Sequence, residues 1–145
     1  KGIIKVKKNN SSKKLIREHI KKNKVIIAQK FLDEITRGDN RIIIYNGIIE
    51  KNVLTRMPPK GDFIANLANG GSFKITKVKK KYLANLEKVA SFLEYHGVFF
   101  AGVDMIGDYI TEINITSPTG VQNIKNGLSL KIANQLIKKI REYYN

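Results

Sequence analysis

The stretch from residue 40 to residue 56 constrains the fold more than any other part of this 145-residue chain. Two runs rich in Ile and Val flank the dipeptide Asn46-Gly47. Asn and Gly tolerate the positive φ angles of a type I′ turn, whose twist matches that of paired strands. The pattern therefore predicts an antiparallel hairpin with strands over residues 40–45 and 48–56.

Periodic apolar residues outside the hairpin predict helices and further strands. A helix is expected after an N-cap at Ser11 or Ser12, and two apolar stripes predict helices over 78–96, ended by Gly97, and 126–143. Strands are expected over 3–7, 24–32, 98–106 and 109–116, the last two joined at Gly107-Asp108. Single helices between hairpin-connected strands predict one α+β domain with an antiparallel sheet flanked by helices.

Residues 57–72 form a long segment without a helix or strand pattern. Pro58-Pro59, Gly61 and Gly70-Gly71 oppose a regular helix or a central strand. Loops of this length in compact domains are commonly functional lids or disordered segments, so we interpret 57–72 as a mobile lid loop.

The chain is strongly basic, with 27 Lys and Arg against 12 Asp and Glu and a net charge of +15. Such a charge suggests a polyanionic partner such as nucleic acid. The basic residues are mostly lysines spread over the chain, and they are not interleaved with the aromatic residues that stack on single-stranded bases. We therefore favour solvated surfaces over a specific nucleic-acid site, which remains the alternative.

Composition excludes several other classes of site. The absence of cysteine excludes disulfides, Cys-based zinc sites and a thiol nucleophile. The longest apolar runs are far shorter than the roughly 20 residues that span a bilayer, so no membrane partner is expected.

Three polar residues occupy strand positions that would otherwise favour apolar side chains: Asp104, Glu112 and Asn114. Glu112 and Asn114 project from one face because they are two residues apart. Asp104 joins them if it pairs with Glu112, which we expect to require an odd-numbered loop, such as three residues with a bulge, rather than a two-residue turn. The three oxygen donors would then suit Mg²⁺, although exposed polar positions on the wet face of a sheet give the same pattern.

Three segments resemble the prokaryotic glutathione synthetases, a family of ATP-grasp carboxylate-amine ligases. The first runs from Gly38-Asp39-Asn40-Arg41 to Thr55-Arg56-Met57-Pro58. The second joins Gly97-Val-Phe-Phe-Ala-Gly-Val-Asp104 to Thr111-Glu-Ile-Asn-Ile-Thr-Ser-Pro-Thr119, and the third, weaker one is Ala28-Gln-Lys-Phe-Leu32. The resemblance covers nearly the whole chain but only the C-terminal part of the family's sequence, so it implies an ATP-grasp C-terminal subdomain.

The resemblance also implies roles for individual residues. It implies that Asp104, Glu112 and Asn114 bind Mg²⁺, with Mn²⁺ as a substitute. It implies that ATP is bound by Gln29, Lys30, Phe31, Leu32, Asp39 and Arg41. It implies that substrate is bound by Arg56, Gly70, Gly71 and Ser117, and that Arg41, Arg56 and Asn66 are catalytic.

The implied reaction is the ATP-dependent joining of γ-glutamylcysteine and glycine through an acyl phosphate, in a cytoplasmic homo-oligomer. The sequence departs from the family at Ile64, where an arginine usually precedes the asparagine of the lid by two residues. Losing one such donor can cost a few kcal/mol of transition-state stabilisation. The alternatives are another ATP-grasp amino-acid ligase and an inactive, basic nucleic-acid-binding remnant.

Overall fold

The computed structural model describes residues 3–65, 71–124 and 127–144. These residues fall into two compact units divided between Leu32 and Asp33. The first unit contains helix α1 (Asn10–Asn23), and the second contains a six-stranded sheet with helices α2 (Lys80–Tyr95) and α3 (Leu128–Tyr144). The predicted α+β class with an antiparallel sheet is confirmed.

The first unit differs from the sequence prediction in two respects. The side chain of Asn9, rather than Ser11 or Ser12, caps α1 by accepting a hydrogen bond from the Ser12 N–H at 2.9 Å. Several consecutive Asn and Ser residues suit this role equally well, so composition alone does not select one. The strands predicted over 3–7 and 24–32 are wrong, because neither segment is a strand in the structure. Apolar alternation describes side chains, whereas a strand also needs a hydrogen-bonded neighbour.

The second unit is built on antiparallel strands that are mostly neighbours through hairpins. They are β1 (Asp39–Tyr45), β2 (Ile48–Ile49), β3 (Asn52–Met57), β4 (Ser72–Lys77), β5 (Phe100–Ile106) and β6 (Tyr109–Asn114). The order across the sheet is β4-β3-β1-β5-β6, and β2 extends the pairing of β1. Short 3₁₀ helices lie at Asp33–Arg37 and Val121–Ile124.

The predicted hairpin is confirmed at its turn. Asn46 and Gly47 have φ angles of 48° and 72°, as a type I′ turn requires. The returning strand is not continuous, however, because the register shifts by two residues between Ile44↔Ile49 and Arg41↔Leu54. At this break Glu50 is buried and accepts hydrogen bonds from both the backbone and side-chain nitrogens of Asn52, each at 2.9 Å.

Strand β4 is absent from the sequence prediction. It follows the segment predicted as a loop and pairs with β3, with Leu54 opposite Ile75. Its side chains are mostly exposed and include Lys74 and Lys77, which is a common way to protect an edge strand from further pairing. Phe73 and Ile75 alternate with polar residues, so the sequence does contain a short strand pattern that the prediction missed beside the glycine-rich segment.

The β5–β6 hairpin places Glu112 opposite Asp104, but by a different route from the one predicted. Ile106 pairs with Tyr109, so the turn has the two residues Gly107 and Asp108. A bulge then shifts the register between Asp104 and Met105, where Thr111 is the additional residue on β6. The expected pairing is confirmed, and the expected three-residue loop is wrong.

The two faces of the sheet are covered by different elements. On one face α2 packs on an apolar cluster, whose buried members are Ile42, Ile44, Val53, Tyr82, Leu86, Ala90, Leu93, Ala101, Val103 and Met105. On the other face the 3₁₀ helix Val121–Ile124 and the start of α3 cover a smaller cluster of Ile43, Tyr45, Leu54, Ile124 and Leu128. The helix predicted over 78–96 is confirmed as α2, and Gly97 follows it with a φ of 69°.

The helix predicted over 126–143 is confirmed as α3, although Asn126 lies outside the described residues. Of the helices that the structure describes, none combines the length and the apolar character needed to cross a bilayer.

Candidate functional site

The polar residues singled out in the sequence share the face of the sheet opposite α2. Side chains alternate along a strand, so residues in register with one another point to the same side. The register pairs Asp39 with Arg56, Arg41 with Asp104, and Asp104 with Glu112. Asn114 extends the row, because it lies opposite Gly102, two residues before Asp104. Four strands therefore contribute to one polar surface.

Arg41 and Asp104 form a buried, two-pronged ion pair at the centre of this surface. Arg41 Nε donates to Asp104 Oδ1 at 2.8 Å, and Arg41 Nη2 donates to Asp104 Oδ2 at 2.7 Å. Only 7% of Arg41 and 4% of Asp104 is exposed. The hydrogen bond to Asp104 is the largest cause of the raised pKa of Arg41, and the charge of Glu112 also contributes to raising this pKa. A planar guanidinium and a carboxylate match each other in this geometry, so each fixes the orientation of the other.

Arg56 connects a second carboxylate to the pair. Its Nη2 donates to Asp104 Oδ2 at 2.8 Å and also to Asp39 Oδ2. Burial raises the pKa of Asp39 to about 6, and the nearby charge of Arg56 opposes this effect without cancelling it. Within the described residues, Asp39 Oδ1 and Arg56 Nε are buried without a hydrogen-bond partner. Buried polar atoms are rarely left in this state, so they mark a place where a ligand could bind.

Sequence reasoning did not identify Thr119, which holds Arg41 from the other side. Arg41 Nη1 donates to the backbone oxygen of Thr119 at 3.3 Å and to its hydroxyl oxygen at 3.1 Å. The segment that carries Thr119 lies close to β5, since a Cβ on Gly102 would be 2.9 Å from Pro118 Cβ. The signal in the sequence was the Ser-Pro-Thr motif, of which only the serine was selected.

The predicted metal ligands are arranged along the β5–β6 pair. Glu112 is exposed, and Asn114 is half-buried. Asn114 Oδ1 accepts hydrogen bonds from the backbone N–H groups of Thr116 and Ser117, each at 3.2 Å, so it closes the turn after β6. In the described part of the chain, no three His, Cys, Asp or Glu residues form a metal-binding group. The set of Asp104, Glu112 and Asn114 offers two carboxylates and one amide oxygen, which are hard donors of the kind Mg²⁺ prefers.

The remaining predicted site residues belong to the first unit or to the segment between β3 and β4. Gln29, Lys30, Phe31 and Leu32 are in the first unit, where Lys5 Nζ lies 3.3 Å from the centre of the Phe31 ring. Asn66 and Gly70 lie outside the described residues, and Gly71 directly precedes β4. The described residues between β3 and β4 form neither helix nor strand, whereas Met57 and Ser72, the two ends of the predicted loop, belong to β3 and β4.

Known proteins with similar sequences resemble the chain over most of its length. A family profile described as prokaryotic glutathione synthetase, ATP-grasp domain, matches residues 1–128. The glutathione synthetase of Coxiella burnetii is 39% identical over 122 residues, which cover 84% of this chain and 38% of the relative. That of Wigglesworthia glossinidia brevipalpis is 36% identical over 146 residues, covering 99% of this chain and 46% of the relative. The chain thus spans less than half the length of these relatives.

Proposed function

The chain belongs to the prokaryotic glutathione synthetase family of ATP-grasp domains, and from this membership we propose that it forms the C-terminal part of a ligase domain. The proposed reaction joins γ-glutamylcysteine to glycine while ATP is converted to ADP and phosphate. The observation that carries the proposal is the buried cluster of Asp39, Arg41, Arg56 and Asp104, which contains unpartnered polar atoms.

The chemistry requires activation of a carboxylate that is a poor electrophile. ATP transfers its γ-phosphoryl group to the carboxylate of the dipeptide, and the glycine amine then displaces phosphate from the acyl phosphate. Negative charge on the transferred group is dispersed by positive groups that are already in position. No protein nucleophile is needed, which is compatible with a chain that lacks cysteine.

The two arginines are suited to different tasks. Arg41 already uses Nε, Nη1 and Nη2 in bonds to Asp104 and Thr119, so its main role is to orient Asp104, with its remaining capacity directed to a phosphoryl oxygen. Arg56 donates only through Nη2 within the described residues, and its Nε is buried and unpartnered. Arg56 therefore has the donors to bind the transferred phosphoryl group or the dipeptide carboxylate.

Asp104, Glu112 and Asn114 would hold Mg²⁺, or Mn²⁺ in its place, beside the ATP phosphates. The ion would neutralise phosphate charge during transfer. Asp104 is held by the two arginines, Glu112 offers an exposed carboxylate, and Asn114 keeps its amide oxygen in place through the turn after β6.

Residues 29–32 would bind the edge of the adenine base of ATP, and Asp39 would be a further ATP-binding residue. Residues 57–72 act as a lid whose Asn66, Gly70 and Gly71, together with Ser117 outside it, contact the substrates. Closure of such a lid protects an acyl phosphate from water. The complete protein is proposed to be a cytoplasmic homo-oligomer.

The decisive experiment measures ADP release with γ-glutamylcysteine, in the presence and absence of glycine. It is run on this chain and on a version extended by any upstream coding sequence. Glycine-dependent turnover is expected in the extended protein. Glu112→Gln should abolish this turnover because it removes the charge of a proposed metal ligand while keeping the shape. Glu87→Gln, an equivalent change at an exposed position on α2, should leave turnover unchanged.

Other outcomes contradict parts of the proposal. Turnover that depends on glutamate rather than glycine would indicate another ATP-grasp amino-acid ligase. Turnover unaffected by Glu112→Gln would contradict the metal assignment. If the extended protein is inactive but Ile64→Arg restores turnover, the substrates are right and the lost lid charge limits the rate. If the extended protein and its Ile64→Arg variant are both inactive, and the chain binds random-sequence DNA at physiological salt, the nucleic-acid alternative is favoured.

A further inference from the structure

A cavity of about 480 Å³ lies on the α2 side of the sheet, on the face opposite the Arg41–Asp104 pair. Its floor is formed by β1, β3 and β4, and Tyr82 at the start of α2 contributes to its wall. Its volume falls within the range of about 300–1,000 Å³ that is usual for small-molecule sites. Of the described residues assigned above to the ligase reaction, none lines this cavity.

The floor of the cavity is polar where the rest of this face is apolar. Asn40, Thr55 and Thr76 lie on three neighbouring strands, whereas Ile42 and Val53, on the same face, belong to the apolar core. Thr55 is 2% exposed, so its hydroxyl group needs partners inside the protein. Apolar packing does not explain why a row of polar side chains lies at the edge of this core.

Hydrogen bonds give this row a single direction. The Thr55 hydroxyl donates to Asn40 Oδ1 at 2.8 Å, so the Thr76 hydroxyl must be the donor in its 2.8 Å bond to Thr55 Oγ1. Asn40 Nδ2 in turn donates to the Met105 backbone oxygen at 3.3 Å. Each hydroxyl group has only one proton, so both are used. An anion accepts hydrogen bonds, so the donor that the floor retains for it is the second N–H of the Asn40 amide.

The rim of the cavity has an excess of positive charge. It carries the basic residues Arg37, Lys74, Lys77, Lys79 and Lys81 and the acidic residues Glu34 and Asp108. Both acids already have cationic partners, since Asp108 bonds to Lys81 and Glu34 lies 4.0 Å from Arg37. Across the described ranges, Lys74 and Lys79 form no salt bridge with a carboxylate, whereas the ammonium of Lys77 donates to the side-chain oxygen of Asn52. Two lysines, Lys74 and Lys79, therefore remain available to an anion at this cavity.

The first turn of α2 adds to this field. The helix begins at Lys80, has no acidic residue in its first turn, and receives no side-chain hydrogen bond from its N-cap residue Lys79. The positive end of the helix dipole thus lies at the rim, where it is offset in part by Asp108, which accepts hydrogen bonds from Lys81 and from the Tyr82 hydroxyl. This contribution supports the charge of the lysines but would not define a site without the cavity.

We propose that this cavity binds a small anion that carries at least two carboxylate or phosphate groups. Lys74 and Lys79 at the rim supply the charge, and the remaining N–H of Asn40 supplies a hydrogen bond at the floor. This site is separate from the ligase site, because alternate residues of β1 and β3 face opposite sides of the sheet. If no anion binds in this cavity, the proposed ligase reaction is not affected.

Isothermal titration calorimetry of the 145-residue chain with citrate and with inorganic pyrophosphate, at constant ionic strength, tests the proposal. The double variant Lys74→Gln/Lys79→Gln should weaken binding of the preferred probe by about tenfold or more, which corresponds to about 1.4 kcal/mol. Lys13→Gln/Lys14→Gln removes the same charge from α1 and should change binding by less than about twofold. The tighter probe identifies the carboxylate or the phosphate class.

Asn40→Ala tests the floor independently of charge, because it removes the remaining N–H donor, and it should weaken binding while the circular dichroism spectrum stays unchanged. Equal weakening by both lysine pairs would overturn the proposal, because it would mean that only net charge attracts the probe. Failure of both probes to bind to the wild-type chain would overturn it as well.

Discussion

The two faces of β1 and β5 are almost equally buried but are stabilised by different physics. On the α2 face Ile42 is 2% exposed and packs in an apolar cluster, whereas on the other face Arg41 is 7% exposed and pairs with Asp104. Hydrophobic burial is non-directional, so it depends mainly on volume. A buried ion pair depends on specific partners, since the loss of one leaves the other uncompensated. The apolar face should therefore tolerate conservative changes that the charged face does not.

Two variants each of Asp104 and Leu86, one to alanine and one conservative, test this difference with the largest expected effects. Asp104→Ala should lower the free energy of unfolding by about 3–5 kcal/mol, because Arg41 and Arg56 lose their shared carboxylate. Leu86→Ala, at a fully buried position on the α2 face, should cost a similar 2–5 kcal/mol. Asp104→Asn should remain costly because it removes the charge, whereas Leu86→Met should cost less than about 1.5 kcal/mol. Urea unfolding of the four variants measures these values.

If Asp104→Asn is no more destabilising than Leu86→Met, the two faces of the sheet do not differ in their tolerance of conservative changes. That result would mean that Arg41 and Arg56 find other partners or solvent, and that shape rather than charge holds this face together. Equal m-values for the variants are needed as a control, because a changed m-value indicates an altered denatured or native state.

The parts of the fold that could be predicted from the sequence are those specified by neighbouring residues. Asn46-Gly47 determines its own turn, and the apolar stripes of α2 and α3 lie within single helices. The segments 3–7 and 24–32 have apolar residues but no strand partner, so the same reasoning failed there. Strand β4 was missed although Phe73 and Ile75 alternate with polar residues, because the pattern spans six residues directly after the glycine-rich segment.

In the candidate site, too, features specified by neighbouring residues could be predicted, whereas features that depend on distant residues could not. The side of the sheet on which Glu112 and Asn114 lie follows from their spacing, and their alignment with Asp104 followed once the pairing was assumed. The bulge at Thr111 could not be predicted, because it depends on how two strands adjust to each other. Thr119 belongs to the Ser-Pro-Thr motif, but its contact with Arg41 could not be predicted because the two residues are 78 positions apart in the sequence.

The charged face should make the free energy of unfolding depend on pH, whereas the apolar face should not. Burial raises the pKa of Asp39 to about 6, from 3.8 for an exposed side chain. Between these pH values the folded chain holds a proton that the unfolded chain releases, so this group makes the free energy of unfolding fall as pH rises from about 4 to about 6. The expected contribution is on the order of 2 kcal/mol across this window.

Asp39→Asn should remove this pH-dependent contribution, and the exposed variant Asp33→Asn should retain it. The measurement is urea unfolding at several pH values, with each variant compared to the wild-type chain. If the pH dependence of Asp39→Asn matches that of the wild-type chain, Asp39 is not the group responsible, and the charged face does not differ from the apolar face in this respect.

The smallest expected effect concerns the contact that orients Arg41 from outside the sheet. Thr119→Val removes the hydroxyl that accepts from Arg41 Nη1 at 3.1 Å, while the backbone oxygen of residue 119 can still accept. The expected loss in the free energy of unfolding is about 1 kcal/mol, typical of one hydrogen bond. Thr119→Ser keeps the hydroxyl and should cost less. If valine and serine are equally destabilising, the methyl group of Thr119 rather than its hydroxyl is what matters, and the charged face would depend on packing at this point as the apolar face does.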